Sequence, residues 1–91
     1  MSTTVKIPQL LRELTGGADE VSVEAKTAGE ALDGLEKKFP GVKGKICRED
    51  GSLRGFVNLY VNAEDVRFLD GLRTKLKEGN VLTILPMIAG G

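Results

Sequence analysis

The chain has 91 residues, 41% of them hydrophobic and 29% charged, proportions that suit one soluble globular domain and leave too little for two cores. Its 13 Lys and Arg equal its 13 Asp and Glu, so it lacks the basic excess by which proteins hold nucleic acid or an anionic membrane surface, and neither is an expected partner. One cysteine and no histidine exclude an internal disulfide, a Cys/His zinc cage and any Ser-His or Cys-His nucleophile pair.

Val5 and Ile7 alternate with Thr4 and Lys6, the period-two pattern of a strand with one buried face that ends near Pro8. Leu10, Leu11 and Leu14 form a short apolar stretch broken by Thr15-Gly16-Gly17, which reads as a loop or a single helical turn. No Gly-Lys-Ser/Thr follows the two glycines, so they fit a turn better than a phosphate cradle. Val21 and Val23 alternate with Ser22 and Glu24 in a second strand, expected to pair with the first. Thr27-Ala28-Gly29-Glu30 has capping-box spacing, with the Thr27 hydroxyl on the Glu30 amide and the Glu30 carboxylate reaching back to Thr27. Ala28, Ala31, Leu32, Leu35 and Phe39 then recur on one helical stripe that faces the sheet, and Pro40-Gly41 stops the helix.

From 42 to 55 the composition turns to Lys, Gly, Arg, Glu and Asp around isolated Ile46, Cys47 and Leu53, predicting a surface excursion with room for one helical turn. Cys47 stands beside Lys45 and Arg48, cations that lower a thiol's pKa, but no other reactive group accompanies it and it reads as a spectator. Residues 56–61 place Val57, Leu59 and Val61 on one face and Phe56 and Tyr60 on the other, a strand inside the sheet. Asn62, Glu64 and Asp65 are explained by a tight turn with Asx hydrogen bonding, and no metal is expected there. Residues 66–69 are predicted as a short strand, 78–80 as a turn and 81–85 as a final strand that Pro86 ends. Phe68, Leu69 and Leu85 read first as core or sheet-face residues, with Phe68 also the aromatic most suited to anchor a partner. The lysines at 6, 26, 37, 38, 43 and 45 read as mostly solvated. Strand, strand, helix, excursion, strand, short strand, strand is the order of an α+β fold of the β-grasp type, the ubiquitin-like roll, with a mixed sheet and one main helix across it. The expected organisation is a single domain over 1–91 with 86–91 as a flexible C-terminal tail.

The sequence ends Met87-Ile88-Ala89-Gly90-Gly91. It stays apolar to Ala89 and then loses its side chains, so a tip of this kind can thread a narrow channel if the α-carboxylate itself is to react. No basic leader precedes an apolar stretch at the start, and no window approaches the roughly 20 apolar residues of a membrane span. A cytoplasmic setting is the expectation.

Three blocks together carry a resemblance: Val5-Lys6-Ile7-Pro8; residues 56–68, ending Val61-Asn62-Ala63-Glu64-Asp65-Val66-Arg67-Phe68; and Leu82-Thr83-Ile84-Leu85-Pro86-Met87-Ile88-Ala89-Gly90-Gly91. In these the chain resembles the ubiquitin-like sulfur carriers of the MoaD and ThiS type, and within them the cysteine-biosynthesis or molybdopterin-synthase-like subgroup. The resemblance implies a protein co-substrate and not an enzyme. In such a cycle an E1-like enzyme adenylates the Gly91 carboxylate with ATP and magnesium, and a sulfur donor displaces AMP to leave a thiocarboxylate. The carrier itself would bind no cofactor. Ala89 and Gly90 would thread the partner's channel, and Met87, Ile88 and Phe68 would contact partners. Those partners would be the E1-like enzyme, a sulfur-accepting synthase (cysteine synthase-like or the large subunit of a molybdopterin synthase) and a JAMM-type metalloprotease. Two other functions compete: a modifier joined through Gly91 to lysines, and a ubiquitin-fold binding module whose tail is incidental. The resemblance names a mechanism and leaves the acceptor open.

Overall fold

The structure is a computed structural model and describes residues 2–55 and 57–86. Helix α1 (Ala28–Lys38) begins where the cap predicts: the Glu30 N–H donates to Thr27 Oγ1 at 3.2 Å. The Glu30 carboxylate goes one residue further back than the spacing suggests and accepts the Lys26 N–H at 3.0 Å. Lys26 and Thr27 already belong to a short extended contact with residues 74–76, in which Ala28 N–H donates to Thr74 O and Leu76 N–H to Lys26 O. Ala28, Ala31, Leu32 and Leu35 are fully buried, as their stripe requires, and Phe39 closes the helix half-buried. Gly29 lets α1 lie close to the segment at 71–73: a Cβ there would sit 3.1 Å from Leu72 O.

Strands β1 (Ser2–Lys6) and β2 (Glu20–Glu24) pair antiparallel with Val5 opposite Val21. Strand β3 (Val57–Val61), the two-residue β4 (Glu64–Asp65) and β5 (Val81–Pro86) complete a five-stranded mixed sheet in the order β2-β1-β5-β3-β4. Strand β5 lies parallel to β1 and antiparallel to β3, so it is an interior strand, and α1 lies in the connection that makes the parallel pairing possible. Val5, Val21, Val23, Val57, Leu59, Leu82 and Ile84 alternate inward onto α1. Thr4, Lys6, Tyr60, Thr83 and Leu85 fall on the other face, in accordance with the period of two.

Two expectations are corrected. The segment after Pro40 is not a surface excursion throughout: Val42–Ile46 form a short helix α2, and Val42, Ile46 and Cys47 are core residues. The single helical turn expected there is present; the intervening lysines and glycine mask the three apolar positions, so their burial is not announced. The predicted strand at 66–69 is a 3-10 turn over Val66–Phe68. Asp65 Oδ1 accepts the Arg67 N–H at 2.9 Å, and this Asx turn diverts the chain after β4. Val66 is buried, but Phe68 is 86% exposed and Leu69 is also exposed, so neither is a core or sheet-face residue, whereas exposed Leu85 lies on the outer face of the sheet as one alternative expected.

Candidate functional site

Chemistry at the predicted tail depends on where β5 delivers it. Asn62 N–H donates to Val81 O at 2.7 Å, which makes 62 and 81 a hydrogen-bonded antiparallel pair. Since such pairs alternate, Val57 and Pro86 face each other as a non-hydrogen-bonded pair. The amide hydrogen that Pro86 lacks would have pointed toward β1, whose pairing with β5 stops at Lys6 and Thr83. A proline is therefore tolerated at the end of an interior strand, and β5 runs one residue further than the expected boundary at 85.

Because β1 and β5 are parallel, the segment after β1 lies at the same end of the sheet as Pro86. Leu10, 59% exposed, and Leu14 stand there over Leu11, Ile46, Val57 and Ile84, with Glu13 and Lys45 at the rim of an apolar cleft of about 410 Å³. At the same end Arg67 Nη2 donates to Val57 O at 2.8 Å, and Val57 N–H donates to Arg54 O at 3.0 Å. The Arg54 guanidinium in turn holds Gly44 O through Nε and Nη2. Leu85, opposite Asn58, is the exposed apolar residue on the outer face of the same strand end.

Of the predicted site residues, Met87, Ile88, Ala89, Gly90 and Gly91 lie outside the described residues. Phe68 does not gather at the Pro86 end. It lines a separate cleft with Val61, Asn62, Lys77 and Asn80, which belong to the opposite end of β3 and β5. Arg54 and Arg67 were not singled out from sequence, and their main-chain contacts have no sequence signal. The position of Leu10 and Leu14 follows from the parallel β1–β5 pairing once that is drawn.

The ionisable groups fit a scaffold. Burial pushes the Cys47 thiol above its ordinary pKa, so the expected lowering by neighbouring cations does not prevail and the thiol is an inert core group. The Glu36 carboxylate accepts the N–H groups of Gly41 and Lys43 and is held below its ordinary value by those two bonds, Gly41's the larger. The side-chain hydrogen bond to Asp33 raises Lys43. Among the described residues no three His, Cys, Asp or Glu side chains gather as metal ligands, and no helix is long and apolar enough to cross a membrane.

Residues 5–91 match the ThiS family. The chain is 44% identical over 93 aligned positions, covering all of both chains, to the sulfur carrier protein CysO of Mycobacterium tuberculosis. Among solved structures, a chain of the Amycolatopsis orientalis BexX/CysO complex superposes with a TM-score of 0.92 at 45% identity, over 98% of this chain and 99% of that one. The small archaeal modifier protein 1 of Haloferax volcanii superposes with a TM-score of 0.81 at 26% identity, over 96% and 98%. The likeness spans the scaffold and the exit strand together, and the chain belongs to the ThiS family of ubiquitin-like sulfur carriers.

Proposed function

We propose that this chain is a sulfur carrier that is consumed and regenerated by partner enzymes and catalyses nothing itself. The observation that carries the reading is the 44% identity to CysO over the whole of both chains. The interior position of β5 supports it: a strand held on both sides is a firm base from which residues 87–91 can act as the reacting tail. In the proposed cycle a Gly91 carboxylate oxygen attacks the α-phosphorus of ATP on an E1-like enzyme, magnesium screens the phosphates, and pyrophosphate leaves. Hydrosulfide then adds to the acyl carbon through its sulfur, AMP departs and a proton is lost, leaving a thiocarboxylate. Activation is required because a carboxylate repels nucleophiles and offers no leaving group, and the adenylate removes both obstacles. The thiocarboxylate sulfur is the nucleophile that a synthase accepts. The name CysO favours cysteine as the product, with a JAMM-type metalloprotease releasing it, over molybdopterin. The BexX/CysO complex supports a mode of action in which the carrier docks on a larger protein. ATP and magnesium belong to the activating partner, and a reducing cytoplasm suits both the free Cys47 thiol and the cargo.

Incubation with an E1-like enzyme of this family, ATP, magnesium and sulfide should replace one oxygen by sulfur in the intact mass. An unchanged mass with an enzyme that loads its own carrier contradicts the reading. The likeness to an archaeal modifier protein favours a second role, conjugation of Gly91 to lysines. Adducts that survive denaturation would reveal it.

A further inference from the structure

The chain is electrically balanced, but its charges are not evenly engaged. Among the described residues near the Pro86 end, Asp33 is taken by Lys43, Glu36 by the amides of Gly41 and Lys43, Asp50 by Ser52 and Asp65 by the Arg67 amide. Glu13 and Glu49 remain without such a bond beside β3 and β5, and Asp19 and Glu20 likewise at the β2 edge of the same end, with β1 between them and β5. Against them stand Lys45, Arg48, Arg54 and Arg67, none in an ion pair with a described carboxylate. The Arg67 guanidinium and the Arg54 main-chain carbonyl both meet Val57, the residue opposite Pro86; the Arg54 guanidinium lies on Gly44 O, and Lys45 lines the cleft with Val57 and Ile84. The exit of β5 thus carries a cationic collar.

The Arg67 guanidinium is the best placed member. Its bond to Val57 O orients the guanidinium, while the side chain stays exposed and its other N–H groups have no partner among the described residues. A guanidinium fixed in this way loses little further freedom on taking a planar, bidentate anion. The strand β4 is only two residues long, so beyond it the edge of β3 is left for Arg67 to cover.

We propose that this collar, with Arg67 at its centre, is a docking surface for carboxylates on the protein that activates the tail. The inference rests on the carrier reading and names the chemistry of its partner: an acidic rim around the channel that admits residues 87–91. Opposed charges at such a rim act chiefly on encounter and on salt dependence, and leave the chemical step untouched once the complex has formed.

The test measures the initial rate of sulfur loading against carrier concentration, at low and high salt, with the E1-like enzyme used above. Arg67→Met should lower kcat/KM at low salt by about fivefold with kcat unchanged. Charge reversal in Arg67→Glu should lower it further, and Arg67→Lys should recover part of the loss. Lys45→Met, which leaves the Val57 bond intact, should lower kcat/KM without moving the melting temperature. Lys77→Met, at the far end of the sheet, should behave as wild type, and the gap between wild type and Arg67→Met should close at high salt. Equal kcat/KM and equal salt dependence for Arg67→Met, Lys45→Met and wild type would overturn the proposal while the carrier reading stands. ATP alone binding the free protein at Arg67 would overturn it too, since the collar would then be a phosphate site. A wild-type chain that is never loaded would sink the carrier reading and this inference together.

Discussion

The two ends of strand β5 are built differently. At the Val81 end polar groups answer one another: Asn62 Oδ1 accepts the Val81 N–H, Asn80 Oδ1 accepts the Lys77 N–H, and Asn80 O accepts the Thr4 N–H. Asn62 even holds a left-handed backbone, φ +57°, to keep its place. At the Pro86 end the core side is closed by Ile84 and Val57, while the surface shows Leu10, Leu85 and arginines that join no ion pair among the described residues. The Val81 end meets most of its polar groups from within the chain, Thr3 excepted, whereas the Pro86 end shows cations in no ion pair among the described residues, as expected if partners meet the molecule where the chain leaves the sheet.

The contrast can be broken at several points. Ile84→Ala should cost about 3–4 kcal/mol in urea denaturation, because its side chain is fully buried beneath the exit. A loss under about 1 kcal/mol would mean that the exit strand is not anchored by its core face. Asn62→Ala removes the bond to Val81 and leaves in a left-handed turn a residue without the polar side chain that makes asparagine tolerant of it, for an expected loss of about 2 kcal/mol with sulfur loading of the folded fraction unchanged. Also toward the Val81 end, Thr3 is buried with no partner for its hydroxyl, and Thr3→Val should raise stability by about 1 kcal/mol. The smallest effect is a pH dependence. Glu36 is more acidic folded than unfolded, so its contribution is complete above its ordinary pKa of 4.5 and is lost as pH falls through the lowered value. Glu36→Gln should flatten that part of the acid limb in a melting-temperature profile, lowering the melting temperature slightly at neutral pH and leaving it nearly unchanged below the lowered pKa.

What the sequence made legible were segments whose local signals agree with their packing. The Thr27 cap, the Ala28–Leu35 stripe and the Pro40 stop all point to α1, and Val5 and Val21 announce their strands by alternation. At 66–69 apolar composition suggested a strand, but a single Asp65 side-chain bond turned the backbone. Around 42–47 the helix is held by the burial of Val42, Ile46 and Cys47 under α1, a tertiary effect that a five-residue window does not announce. The candidate site divides in the same way. The tail announces itself by composition, and Leu10 follows from topology, whereas the collar depends on where arginine side chains reach across the chain.

The account turns on whether sulfur is loaded at Gly91 and nowhere else. Fragment mass spectrometry after reaction with the activating enzyme, run on the chain as it stands and on one with a phenylalanine added after Gly91, decides this. The account predicts a thiocarboxylate confined to Gly91 in the first and none in the second while the addition remains in place. Equal loading of both chains, or sulfur at any other residue, would contradict it.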